Sequence, residues 1–191
     1  MNRQPALTLL SEGSLLIRPL SGSREDFAAI SGWLNDERVL EWYEGRDHPV
    51  SIQELQKELL PTLHGEEGTW PGLILWNDSP AGYLQVCRLD ADDLNEYRLP
   101  PGLGVMGIDL FIGIPELWGS GLGGRAVSLV TRHLFTFPTV DLVTLDPHVD
   151  NLRAIRCYRR AGFHTLGFLP DHEFHEGKWV DCRLMARGSW M

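Results

Sequence analysis

Asp109 stands in the middle of an apolar run, Val105 to Ile112, where an unpaired carboxylate costs on the order of several kcal/mol. It therefore needs a partner or a task. Shortly after it, Gly119-Ser120-Gly121-Leu122-Gly123-Gly124 opens a helical pattern that runs to about Phe135. Glycines let backbone N–H groups approach an anion closely, and the first turn of a helix adds unpaired donors and a positive dipole end. A phosphate-bearing ligand on that loop would set reactive chemistry beside Asp109. The same glycines also suit a plain helix–strand packing turn. They are not a P-loop, because no Gly-Lys-Ser/Thr follows, and they lack the ribose-binding acid of a dinucleotide fingerprint.

Asp146, in Thr144-Leu145-Asp146-Pro147, ends the next apolar segment. If the two segments are parallel neighbours, both acids lie near strand C-termini, where α/β sheets place ligands. Glu41-Trp42-Tyr43-Glu44 interleaves acids with aromatic rings, a pairing that suits a polyamine sugar. It belongs to a stretch with nine acids between Asp36 and Glu67, against Arg38, Arg46 and Lys57, most of which a solvated surface explains. In Asn151 to Phe163, Asn151 can cap a helix whose Ile155, Tyr158 and Ala161 share one face. By itself Tyr158 reads as a half-buried packing residue. His172-Glu173-Phe174-His175-Glu176 contains no HExxH, has no cysteine partner and is expected to join two strands, so no metal site is expected there. A GxSxG nucleophile elbow is also missing.

The elements that must carry these residues are legible in outline. Leu7–Leu10 and Leu15–Leu20 read as short strands about a turn, Ser23 and Ser51 as caps of two helices, and Leu73–Trp76 and Tyr83–Leu89 as strands joined by Asn77 to Gly82. Asp90 to Pro101 is expected to be an irregular acidic loop. Strand, glycine loop, helix, strand (Val140–Leu145), helix (Asn151–Ala161) and an antiparallel pair (Phe163–Leu169, Trp179–Met185) follow. The order implies one α/β domain over residues 1–191, with a mixed central sheet, a parallel central strand pair and flanking helices.

The bulk numbers agree with that class. The 191 residues suffice for one full core, and 43% hydrophobic with 23% charged residues is ordinary for a globular protein. A net charge of −9 disfavours nucleic acid and anionic membrane surfaces as partners and favours a cationic ligand. Cys87, Cys157 and Cys182 are too widely spaced for a disulfide framework or a zinc knuckle. With no signal-peptide pattern and no stretch of membrane-spanning length, a cytoplasmic location is expected.

Taken together, the glycine loop and the Asn151–Phe163 segment resemble the GNAT superfamily of acetyl-CoA-dependent N-acetyltransferases. The loop is similar to that family's pyrophosphate-binding motif, and the Asn…Tyr…Ala-Gly-Phe helix to the motif packing against the pantetheine arm. Trp118 stands where the family loop usually carries Arg or Gln, so phosphate contacts are expected mainly from backbone N–H groups. Gly107-Ile108-Asp109-x-Phe111-Ile112-Gly113, Asp146-Pro147 and the segments around Trp42 and Tyr83 are similar to one branch, the aminoglycoside 6′-N-acetyltransferases. The likeness is tightest over about 102–163, the expected acetyl-CoA-binding core. Where that branch often has aromatics before the key strand, this chain has Asp90 to Tyr97.

The resemblance implies direct acetyl transfer to a primary amine in a ternary complex. Asp109 would be the base and Tyr158 the acid that protonates the leaving thiolate. Phe111, Ile112, Gly119, Ser120, Gly121, Leu122, Gly123, Gly124 and Asn151 would bind acetyl-CoA, with the Ile112 N–H polarising the thioester. Trp42, Tyr43, Glu44, Asp109 and Asp146 would bind a small cationic amine, and Cys157 would be a packing thiol. Alternatives are another amine, such as a siderophore precursor, a polyamine or a protein N-terminus, or a non-catalytic acyl-CoA- or drug-binding module.

Overall fold

The computed structural model describes residues 5–65 and 68–189. Glu66 and Glu67, counted among the acids above, lie outside them. Strands β1 (Leu10–Glu12) and β2 (Leu15–Pro19) form the expected hairpin, turning at Gly13 with φ +60°. Helix α1 (Arg24–Trp33) starts at Ser23, whose hydroxyl accepts from the Asp26 N–H at 3.2 Å. Helix α3 (Ile52–Leu59) starts at Ser51, which with Glu54 closes a capping box. Between them lies a short helix, α2 (Glu37–Leu40), capped by Asp36 and not expected from the sequence.

Strands β3 (Thr69–Trp76) and β4 (Ser79–Arg88) are longer than expected, and their turn is only Asn77-Asp78. Both residues sit at positive φ (49° and 61°), a conformation that Asn and Asp tolerate and that matches strand twist. Pro80 enters the strand at a register shift beside Ile74 and Leu75. Asp90 to Pro101 is not the irregular loop expected. Asp90 accepts from the N–H groups of Asp92 and Asp93, Asp93 returns a bond to the Asp90 N–H, and helix α4 (Ala91–Glu96) results.

The remaining elements are β5 (Val105–Ile112), α5 (Leu122–Leu134), β6 (Leu142–Leu145), α6 (Leu152–Arg160), β7 (His164–His175) and β8 (Lys178–Gly188). The eight strands form one sheet in the order β1-β2-β3-β4-β5-β6-β8-β7. Among the described residues only β5 and β6 pair in parallel, as the strand–helix–strand order requires. Alternation along the strands serves two layers. Met106 and Ile108 of β5 pack with Val127 and Val130 of α5 and Ile155 of α6; Phe111 of β5 packs with Phe27, Ile30 and Leu55 of α1 and α3 on the opposite face.

The detail that matters for function is the brevity of the parallel ladder. β5 and β6 are paired only at Val105–Leu142, Met106–Val143 and Gly107–Thr144. Beyond that, β6 and its continuation stay with β8, through Arg183 N–H to Pro147 C=O (2.8 Å) and Val149 N–H to Asp181 C=O (3.0 Å), while β5 stays with β4. The sheet opens between them.

Candidate functional site

Asp109 and Asp146 each stand two residues past the last rung, Gly107–Thr144, on facing sides of this opening. Gly113 N–H bonds Ala81 C=O at 2.9 Å, so Gly113, Phe111 and Asp109 spend their backbone groups on β4. By antiparallel alternation, the N–H groups of Leu110 and Ile112 face the opening. The Ile112 carbonyl on that side accepts from Trp118 Nε1 at 2.7 Å.

One cleft, of about 300 Å³, runs from this edge over the glycine loop to α6. Gly121 is the N-cap of α5 at φ +89°, and Gly119 has φ +77°. A Cβ on either would meet nothing within 4 Å, so these two glycines serve backbone conformation beneath open space. Gly123 and Gly124 differ: a Cβ there would approach the Cys157 sulfur at 3.9 and 3.2 Å, and they let α5 pack on α6. Of the expected cofactor-binding set, Phe111, Ile112, Gly119, Gly121, Leu122, Gly123 and Asn151 line this cleft. Ser120 and Gly124 do not, because the Ser120 hydroxyl turns back to the Leu117 carbonyl (2.6 Å) and Gly124 faces Cys157. Cys157 lines the cleft, but burial pushes its thiol pKa up, which suits packing rather than nucleophilic attack.

The sequence reading missed the cations of this cleft. Arg153, Arg156 and Arg160 line it from α6, and the Arg153 guanidinium lies 3.9 Å from the centre of the Trp118 ring. Their i, i+3, i+7 spacing was a helical-face signal available in the sequence. Trp118, standing where a charged residue was expected, thus carries one on its face.

The second cleft, of about 430 Å³, is acidic. Asp109, Asp146, Glu44 and Glu173 line it together with Trp42 and Tyr43, so every expected substrate-binding residue is present. Of the acids between Asp36 and Glu67, Glu44 alone among the described residues reaches it. The Asp109 carboxyl is pushed up to about 6, by burial first and then by the charge of Asp146, against a lowering bond from Gln85. Gln85 Nε2 donates to Asp109 Oδ2 at 2.9 Å, and Gln85 Oε1 accepts from the Tyr83 hydroxyl at 3.0 Å. Glu44 is also raised, by burial and by Glu58 and Glu173.

Asp146 behaves oppositely. Burial raises it, but hydrogen bonds from His172 and Tyr97 outweigh that and hold it below the usual carboxylate range. Tyr97 Oη donates at 2.6 Å and His172 Nε2 lies at 3.0 Å, both to Oδ2, while His172 Nδ1 lies 2.8 Å from Glu96. These bonds to Asp146 raise the His172 pKa, with burial opposing. Two acids 37 positions apart are thus pushed apart in pKa, the pattern that separates a proton acceptor from a fixed charge. Gln85, Tyr97 and His172 were not singled out from the sequence as site residues.

Tyr158 lines both clefts, as do Trp42, Leu110, Asn151 and Ala154. Its side chain is buried, and burial, followed by Cys157, Asp109 and Asp146, pushes the hydroxyl pKa well up, so it keeps its proton. The loop carrying Trp42 to Glu44 is tied down from three sides. The Tyr43 ring packs 4.7 Å from that of Phe111, the Glu41 carbonyl accepts from His175 Nε2 at 3.1 Å, and Arg46 makes a bidentate pair with Glu176 at 2.5 and 2.7 Å. His172 to His175 belong to β7 itself rather than to a connection, contrary to expectation, because β7 continues through an irregularity at Leu169–Glu173.

Residues 23–169 match the acetyltransferase (GNAT) domain family. Aminoglycoside N(6′)-acetyltransferase type 1 from Klebsiella pneumoniae is 33% identical over 159 residues, covering 82% of this chain and 77% of that protein, and its counterpart from Serratia marcescens matches to the same extent. Among solved structures, aminoglycoside acetyltransferase AAC(6′)-Ib in complex with coenzyme A and kanamycin superposes with a TM-score of 0.71 at 28% identity, over 92% of this chain and 95% of that one. A spermidine N-acetyltransferase from Vibrio cholerae superposes with a TM-score of 0.74 at 18% identity, over 94% and 98% of the two chains, and shares the fold.

Proposed function

The chain belongs to the GNAT acetyltransferase family, and on that premise we propose that it transfers the acetyl group of acetyl-CoA to a primary amine of an aminoglycoside, the 6′-amine, within a ternary complex. The observation that carries this reading is the meeting of two clefts of opposite character at Tyr158. A diphosphate fits the side with glycine N–H groups and the guanidiniums of Arg153, Arg156 and Arg160. A polyamine fits the side with four carboxylates and the Trp42 and Tyr43 rings.

In this reading the thioester lies along the open edge of β5, where the N–H groups of Leu110 and Ile112 polarise its carbonyl. The substrate ammonium gives its proton to Asp109, directly or through one water, and the neutral amine attacks the carbonyl carbon. Asp146, held ionised by Tyr97 and His172, keeps a second ammonium of the substrate in place. The tetrahedral intermediate then collapses, the C–S bond breaks, and the Tyr158 hydroxyl protonates the thiolate. No covalent enzyme intermediate forms, and in the cell the activity confers aminoglycoside resistance.

Thiol release from acetyl-CoA in the presence of kanamycin or tobramycin tests the reading. Drug-dependent release, with the acetyl group on the 6′-nitrogen by NMR, is the expected result. Release with polyamines or peptide N-termini alone would reassign the acceptor. Tight coenzyme A binding without turnover on any amine would remove catalysis.

A further inference from the structure

We propose that His148, Glu173 and His175 form a binding site for a divalent transition-metal ion of the zinc class, at the rim of the acidic cleft. One ligand atom from each of the three side chains lies within 4.8 Å of the others. His148 Nε2 is 2.9 Å from Glu173 Oε2, and His175 Nδ1 is 3.7 Å from Glu173 Oε1. Ligand atoms around a tetrahedral ion with bonds of about 2.0–2.2 Å stand roughly 3.3 Å apart; the two carboxylate–imidazole distances, each to its own oxygen, fall on either side of that value, and the two imidazole nitrogens are within 4.8 Å.

His175 points to a ligand independently. It is 5% exposed, and its Nδ1 is buried with no hydrogen-bond partner among the described residues, since 3.7 Å to Glu173 exceeds hydrogen-bond range. Its other nitrogen, Nε2, faces the Glu41 carbonyl at 3.1 Å. A carbonyl only accepts, so Nε2 carries the proton and Nδ1 presents a bare lone pair. That is the arrangement by which proteins orient a metal-binding imidazole, with the far N–H fixed on a backbone carbonyl.

The scaffold is firm on both sides. His148 follows β6 and bridges Cys182 of β8 through its backbone, and Glu173 and His175 share strand β7. The two imidazoles stand edge to face with centroids 4.7 Å apart. An ion there replaces the His148–Glu173 hydrogen bond and needs His148 in the tautomer protonated on Nδ1. Two imidazoles and one carboxylate select zinc-like ions over magnesium or calcium and leave a coordination position for water. The ion takes no step in the acetyl transfer proposed above, although it engages Glu173, one of the four carboxylates of the acidic cleft. It would clamp β7 to the segment after β6.

The test uses the full chain without chelator. Zn²⁺ titration by calorimetry should show one saturable site, and Zn²⁺ should raise the melting temperature. Glu173→Gln, a half-exposed change at the cleft rim, and His148→Gln should each weaken binding at least about tenfold and abolish the thermal shift. Co²⁺ should give visible d–d bands without a thiolate charge-transfer band. Absence of saturable binding by the wild type, binding unchanged in both variants, or a Co²⁺–thiolate band showing that a cysteine is the ligand would each overturn the site.

Discussion

Replacing Asp109 by Asn should stabilise the protein while disabling it, and the gain should grow with pH. The carboxyl rises from 3.8 to about 6 on folding, mainly through burial. The folded state therefore binds this proton more tightly than the unfolded state does. For an acid this is a penalty that is absent well below pH 3.8, grows as pH climbs towards 6 and is complete above it. Two pKa units correspond to about 3 kcal/mol at pH 8, an upper figure because Asp109 opens onto the cleft. The same linkage leaves about 1.6 kcal/mol at pH 5.

The Asn variant removes the titration and keeps an acceptor for Gln85 Nε2. Its stability advantage over wild type should thus widen by about 1.4 kcal/mol between pH 5 and pH 8. For a chain of this size that is roughly 3–6 °C in melting temperature, read by circular dichroism. Packing differences independent of pH cancel in the comparison. An advantage equal at the two pH values would refute the reasoning, because Asp109 would then titrate alike in both states. The same shift sets the activity profile: kcat/KM should fall below about pH 6 as Asp109 protonates.

The other predictions are more local. Tyr158→Phe should lower kcat by about 10²-fold with little change in the KM for acetyl-CoA, as measured by steady-state thiol release. Arg153→Ala removes the cation stacked on Trp118 and should raise the KM for acetyl-CoA by roughly tenfold, leaving that for the amine near wild type. Gly121→Ala forces a Cβ into φ +89° and should cost about 1–2 kcal/mol in thermal stability, because the space is open but the backbone conformation is not. His172 has its pKa raised by Asp146, so its contribution is complete below the unfolded value near 6.5 and is lost as pH passes through the folded value. His172→Gln should therefore destabilise the protein more at pH 6 than at pH 9 in denaturant melts.

What the sequence made legible is what depends on near neighbours. The glycine loop, the Asn151 cap and the Tyr158 face are all written within one turn or one helix, and the structure builds each of them there, although Ser120 and Gly124 of the loop turn away from the cleft. Gln85 was not legible as a site residue because its partnership with Asp109 is set by the β4–β5 register, 24 positions away. Tyr97 was hidden by an expected irregular loop, where a capping box at Asp90 and Asp93 instead builds a helix that delivers it to Asp146. The expected strand stops at Leu169, before Pro170, and Asp171 does sit at φ +48°. β7 nonetheless continues past it, so His172, Glu173 and His175 arrive on a strand beside the cleft. The opening between β5 and β6 is a property of pairing, and no single residue announces it.

Net charge was half a guide for the same reason. The −9 total favours a cationic ligand, and the acidic cleft has the sign to match, yet the total averages over two clefts that differ in sign. Arg153, Arg156 and Arg160 share a face of α6 on one side of the opening, while Asp109, Asp146, Glu44 and Glu173 converge on the other from four separate segments. In the proposed reaction an anionic donor and a cationic acceptor are each drawn to their own side. The split in the sheet is where the two can touch, with unpaired β5 N–H groups and Tyr158 at the junction. The proposed chemistry at that point needs the ladder to stop at Gly107. A β6 that stayed paired with β5 past Thr144 would close the gap and leave two binding clefts with no reaction between them.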